Sequence, residues 1–190
     1  MKNSISALNA KLNLNNLTNE SDTQKIKDLK EEYVAMFSVG ERENILAHGK
    51  SGSGKSATLA AIANLIGAEI NEIQCSRWNN QTADEIHSWC QSATSNLNFF
   101  DAMETKPYTC RVVMLDEVEQ VGTQGMEQLR GIINLYPEVI FFCTTNFIER
   151  MPAGFPNRFW VNDLWDGVDY REFQRNERLK RAKELIRAQK

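Results

Sequence analysis

The chain has 190 residues, 42% hydrophobic and 25% charged, which are the proportions of one globular domain with a sizeable core and a small appendage. Its net charge of −3 does not mark a general nucleic-acid binder, and no run approaches the roughly 18 apolar residues of a membrane span. A cytoplasmic protein with no membrane partner is expected. The charge is uneven, because residues 171–190 hold eight Lys/Arg against three Glu, which leaves the remainder acidic. Such a basic end reads first as a solvated helix face and second as a phosphate contact.

In chain order, MKNSISALNAKLNLNN lacks the long apolar stretch of a signal peptide, and residues 1–20, rich in Asn, read as a loose leader. From Ser21 the pattern turns helical, with Ile26, Leu29, Tyr33 and Met36 or Phe37 recurring at helical spacing and Gly40 as the stop. Asn44–His48 predicts a short strand. A helix follows over Lys55–Ile66 and ends at Gly67, and Glu69–Cys75 is a second strand. Thr82 and Glu85 form a capping box before a helix carrying Ile86 and Trp89. Residues 92–107 read as a connection whose Phe99 and Phe100 have no role in the motifs, with packing against the core favoured over stacking on a base. Arg111–Asp116 and Val139–Thr145 are apolar runs of buried-strand length, separated by a helix marked by Met126, Leu129, Ile132 and Ile133. Phe159–Leu164 is a last strand, and Asp169 and Glu172 open a charged helix that runs to the end.

Strands alternating with helices, two of the strands apolar throughout, predict a parallel sheet covered on both faces. The four cysteines, Cys75, Cys90, Cys110 and Cys143, form no CxxC pair and have no His at ligand spacing. Buried reduced thiols are expected rather than zinc ligands.

Residues 49–56, GKSGSGKS, match G-x-x-x-x-G-K-[ST] at every fixed position, between a strand and an amphipathic helix. The glycines let the backbone wrap a phosphate, and the helix presents its positive end to the same anion. Lys55 reaches the β- and γ-phosphates, and the Ser56 hydroxyl ligates Mg²⁺. A linker would not sit between these two elements. The candidate nucleotide-binding residues are Gly49, Lys50, Ser51, Gly52, Ser53, Gly54, Lys55, Ser56 and Ala57.

Binding becomes hydrolysis when a water is activated. The strand ending Asp116-Glu117 supplies the acids: Asp116 holds the Mg²⁺ indirectly, and Glu117 orients and deprotonates the attacking water. Asn146 ends the next buried strand, where a side-chain amide beside the γ-phosphate positions that water. ATP and Mg²⁺ are the implied ligands. The fold class is therefore α/β, a three-layer αβα P-loop NTPase with a five-stranded parallel sheet whose strand C-terminal edge holds the nucleotide.

The order of these motifs resembles the ATPase core of the AAA+ superfamily from about Asn44 to Leu164. VVMLDEVEQVGTQGMEQLRGIINLYPEVIFFCTTN is most similar to its clamp-loader and initiator branch, with Asn146 as the first sensor. The family places an arginine some twelve residues later that acts on a neighbouring subunit's ATP, and PAGFPNRFW puts Arg158 there in an "RF" form, where clamp loaders carry Ser-Arg-Cys. The resemblance implies a homo-oligomer, a ring or filament, with Glu117, Asn146 and Arg158 catalytic. It also implies a helical lid, yet only 26 residues follow Leu164, and one basic helix over 169–190 is not that lid. The expected organisation is a leader (1–20), an ATPase core (21–168) and a basic helix (169–190).

The function expected is ATP hydrolysis by an oligomer in DNA replication or another DNA transaction, of clamp-loader, initiator or helicase-loader type, with DNA and a replication or remodelling protein as partners. The alternatives are a viral-type superfamily 3 helicase core and an assembly protein that uses ATP as a switch. A protein-remodelling machine would place an aromatic pore loop near Trp78, but CSRWNNQT offers no aromatic–glycine pair.

Overall fold

A computed structural model describes residues 24–102, 110–152 and 154–163, with the backbone alone within 93–102. The leader, the basic helix, Leu164 and the start of the helix expected from Ser21 lie outside the described residues. The elements are α1 (Gln24–Ser38), β1 (Ile45–His48), α2 (Lys55–Leu65), β2 (Ala68–Gln74), α3 (Asn80–Ala102), β3 (Cys110–Asp116), α4 (Gly122–Leu135), β4 (Ile140–Thr145) and β5 (Trp160–Asn162). Short 3₁₀ turns join several of them. Among the described residues no helix is long and apolar enough to cross a membrane.

The five strands form one parallel sheet in the order β2-β3-β4-β1-β5. Alternation along each central strand divides the core in two. Ile45, Ala47, Val112, Met114, Ile140 and Phe142 face α1 and α2, while Leu46, Val113, Leu115, Phe141 and Cys143 face α3 and α4. A one-residue slip would turn every one of these side chains to the wrong layer, so the period of two sets the register. The α/β three-layer sandwich follows.

Local chemistry explains the element ends. Gly40 at φ 95° closes α1, its N–H donating to the Phe37 carbonyl at 3.1 Å. Asn44 pins three strands together: its side-chain oxygen accepts the Phe141 N–H at 2.8 Å, and its carbonyl accepts the Trp160 N–H at 2.7 Å. Arg111, 5% exposed, is paired with Glu69 at 2.6 Å and lies 4.9 Å over the Trp89 ring, so the buried charge ties β2 and β3 to α3.

Two expectations need correction. The capping box sits three residues earlier than Thr82 and Glu85. Asn79 is the cap, its oxygen accepting the Thr82 N–H at 2.9 Å, and Thr82 fills the reciprocal position. Glu85 instead accepts from Gln81, one turn back, at 3.0 Å. The stretch 92–107 is not a connection at its start, because α3 runs on through Phe99 and Phe100 to Ala102. Ser and Asn spaced through it imitate loop composition. Smaller differences are that β2 ends at Gln74, where Cys75 opens a 3₁₀ turn, and that β5 is only three residues long.

All four cysteines are buried and unbridged. Burial, reinforced by the nearby Asp116, Glu119 and Glu117 carboxylates, pushes the Cys75 thiol up to about 12. Burial likewise pushes Cys90 up to about 12 and raises Cys143 well above the ordinary range. These thiols stay protonated at neutral pH, which suits packing and not metal ligation or nucleophilic chemistry.

Candidate active site

The strand order determines which side chains meet. Strand β4 lies between β1 and β3, so its C-terminal end separates the glycine-rich loop after β1 from the acids after β3. The Gly49 N–H donates to the Thr145 carbonyl at 3.3 Å, which docks the loop on β4. Open α/β sheets bind ligands at this edge.

The loop is shaped by glycines that other residues could not replace cheaply. Gly52 has φ 77° and Gly54 φ 93°, both left-handed. Gly54 caps α2 without a side-chain hydrogen bond, so the first-turn N–H groups of this helix point into a cavity of about 350 Å³. Ser51, Gly52, Gly54, Lys55, Ser56 and Ala57 wall it on one side, and Asp116, Glu117, Thr144 and Asn146 on the other. Gly49, Lys50 and Ser53 belong to the same loop but do not line this cavity. The Gly49 and Lys50 carbonyls accept from Lys55 Nζ at 2.8 and 2.9 Å, and Ser53 is buried at 1% exposure.

Lys55 is 6% exposed, and its Nζ also donates to Asn146 Oδ1 at 2.9 Å. Asn146 Nδ2 in turn donates to Glu117 Oε1 at 3.3 Å. One amide thus links the loop lysine to an acid on another strand. The Asn146 backbone is held as well, its N–H donating to Glu119 Oε1 at 3.1 Å.

Asp116 Oδ1 accepts from Ser56 Oγ at 2.7 Å and from Thr144 Oγ1 at 2.6 Å, while Oδ2 accepts from Gln74 at 3.4 Å. A hydroxyl and a carboxylate this close, with an oxygen-only donor set, suit a hard divalent cation such as Mg²⁺. Glu117 is the only described non-glycine residue at positive φ, at 57°. That conformation costs about 1–2 kcal/mol, and it is held by a hydrogen bond from the Glu117 N–H to Thr144 Oγ1 at 3.0 Å. Strain of this kind at a cavity rim is characteristic of functional positions.

Thr144 does not stand out in the sequence, yet its hydroxyl bridges both acids. The signal is its place in TTN beside Asn146, readable only once β4 is known to neighbour β3. Gln120, which donates through Nε2 to Glu117 Oε2, is hidden from sequence reasoning because only the 3₁₀ turn after Glu117 brings the two side chains together.

Arg158 is not brought to this cavity. It sits in a 3₁₀ turn before β5, donating from Nε to Asn134 at 3.2 Å and from Nη1 to the Gly154 carbonyl at 2.7 Å. It helps to line a separate groove of about 460 Å³ with Glu32, Met36, Glu43 and Trp160. Trp78 packs on the core, where a Cβ added at Gly125 would meet its indole at 2.6 Å. It does not project as a pore-loop aromatic.

Residues 45–162 match the family of ATPases associated with various cellular activities, AAA. No curated protein matches the chain. Among solved structures, a variant of Thermotoga maritima RuvB aligns with a TM-score of 0.56 at 16% identity over 74% of this chain and 44% of that one. The Thermotoga maritima RuvB Holliday junction branch migration motor gives 0.54, 17%, 74% and 44%. The FIGL-1 AAA domain in complex with ADP gives 0.57, 16%, 87% and 61%. The chain therefore spans less than two thirds of each of these neighbours, and identities this low speak to fold alone. The family match covers well over half of the sequence, and the chain belongs to the AAA family of ATPases.

Proposed function

We propose that the chain is an oligomeric AAA+ ATPase that hydrolyses ATP in a DNA transaction, of clamp-loader, initiator or helicase-loader type. The observation that carries the catalytic half is the Lys55–Asn146–Glu117 connection inside one cavity. The open N-terminus of α2 and Lys55 receive the phosphates. Ser56 and Asp116 hold Mg²⁺, which neutralises phosphate charge when bound. Glu117 takes the proton of the attacking water and Asn146 orients that water. Thr144 fixes both acids. Thr144→Val removes its hydroxyl at nearly constant volume, and turnover is expected to fall about tenfold with ATP affinity little changed. Thr144→Ser is expected to retain most of it, and equal rates in both variants would remove Thr144 from the site.

The oligomeric half rests on Arg158, which is outside its own chain's cavity yet half-exposed beside β5. An arginine supplied by a neighbouring subunit is a residue type that stabilises the charge of a transferring phosphate, which supports this reading. The DNA reading draws on the basic residues 171–190 and on the RuvB neighbour, which is a Holliday junction branch migration motor. The organisation proposed is a leader (1–20), a core (21–168) and a basic helix (169–190).

Arg158→Ala and Lys55→Ala chains, each inactive alone, test the shared site. Mixed, they form interfaces in which an intact loop faces an intact Arg158, so activity above the sum of the two is expected. Merely additive activity would argue against a site shared between subunits. Native mass measurement with and without ATP, repeated with single-stranded and duplex DNA, reads the assembly and its nucleic-acid partnership directly.

A further inference from the structure

We infer that Gln120 is a positioning residue that restrains Glu117 from the attacking water, as the tether that remains once phosphate draws Lys55 away from Asn146; the inference rests on the reading of Glu117 as the general base.

Gln120 lies in the 3₁₀ turn Val118–Val121 that follows Glu117. It holds Glu117 twice. Its backbone N–H donates to the Glu117 carbonyl at 3.0 Å, and its side-chain Nε2 donates to Glu117 Oε2. Asn146 Nδ2 takes the other carboxylate oxygen at 3.3 Å. Both oxygens of the proposed base are therefore aimed at protein donors. A general base must direct an oxygen at its water within about 2.6–3.2 Å, so at least one of these bonds has to yield before a turnover.

The far end of the network supplies the trigger. Asn146 Oδ1 accepts from Lys55 Nζ at 2.9 Å, the ammonium that faces the cavity. A phosphate oxygen competes for the same protons with a full negative charge, which makes it the stronger acceptor. When Lys55 turns to phosphate, the Asn146 amide loses the partner that fixes its orientation, and its hold on Glu117 Oε1 weakens. Gln120 is then the remaining tether. It is exposed, so water competes for its amide, and the tether restrains Glu117 without locking it.

Gln120→Ala, measured as the full chain, is expected to raise kcat about three- to tenfold, the range of one exposed hydrogen bond to a carboxylate, with KM unchanged. Gln120→Leu, which keeps the length and removes the donor, is expected to do the same. Gln120 is exposed, so neither variant should disturb folding. Because the effect acts through Glu117, Gln120→Ala should add nothing in a Glu117→Gln background. An unchanged or lowered kcat overturns the latch, as does a rise that persists without Glu117 or that accompanies a change in native mass. The two ideas fail separately. Wild-type turnover in Glu117→Gln alone removes Glu117 as the base, whereas an inactive Glu117→Gln beside an unaltered Gln120→Ala removes only the latch. No turnover in either wild type or Gln120→Ala overturns both.

Discussion

Lys55→Ala should weaken ATP binding by at least about a hundredfold and leave no measurable turnover. The lysine Nζ donates to two loop carbonyls, at 2.8 and 2.9 Å, and to Asn146 at 2.9 Å, from a side chain only 6% exposed. It is a buried positive charge at the proposed phosphate site, where charge-assisted bonds are each worth about 1.5–3 kcal/mol. Two such bonds to phosphate account for a loss of that size. The same substitution leaves the Gly49 and Lys50 carbonyls and the Asn146 amide without this donor, so some loss of thermal stability is expected alongside. A fluorescent-nucleotide titration separates the two effects, provided the variant's melting temperature stays well above that of the assay. Wild-type affinity in a folded Lys55→Ala chain would sink the phosphate-cradle assignment.

The parts of the site that are legible in the sequence are those whose chemistry is contiguous. Gly49 to Ser56 announce a phosphate loop because spacing, glycine content and the flanking strand and helix all lie within a few residues. Asp116 and Glu117 are legible because they directly follow the apolar run Val112–Leu115, which reads as a buried strand delivering two acids to its end. Thr144 and Gln120 are not legible, because their meaning depends on neighbours 28 and three residues away that only the β3–β4 pairing and the turn after Glu117 bring into contact. The fold divides in the same way. The layers can be read from strands of period two and helices of period 3.6. The true start of α3 cannot, because Asn79 and Thr82 both satisfy capping chemistry and only backbone geometry chooses between them. The continuation of α3 past Ser92 is hidden by polar residues whose intrinsic preference is weak enough for tertiary context to override.

Glu117→Gln should keep ATP binding near the wild-type level while turnover falls by about two to four orders of magnitude, the usual contribution of a positioned general base. The change is nearly isosteric, so the cavity wall keeps its shape, and Lys55 and the α2 N-terminus keep their phosphate contacts. The amide cannot take a proton from water. It also cannot reproduce both hydrogen bonds of the carboxylate, because Asn146 presents an N–H to Glu117 Oε1 and Gln120 presents one to Oε2. One end of the substituted amide would be a donor facing a donor, so either the Asn146 contact or the Gln120 contact must open. Glu117→Asp separates these consequences. It keeps the charge and both acceptor oxygens but retracts them by one methylene, so it should hydrolyse slowly, yet faster than Glu117→Gln. Single-turnover measurements on pre-bound ATP isolate the chemical step from binding and release. If Glu117→Gln hydrolyses bound ATP at the wild-type rate, the proton goes elsewhere and Glu117 serves only the hydrogen-bond network that joins β3 to β4.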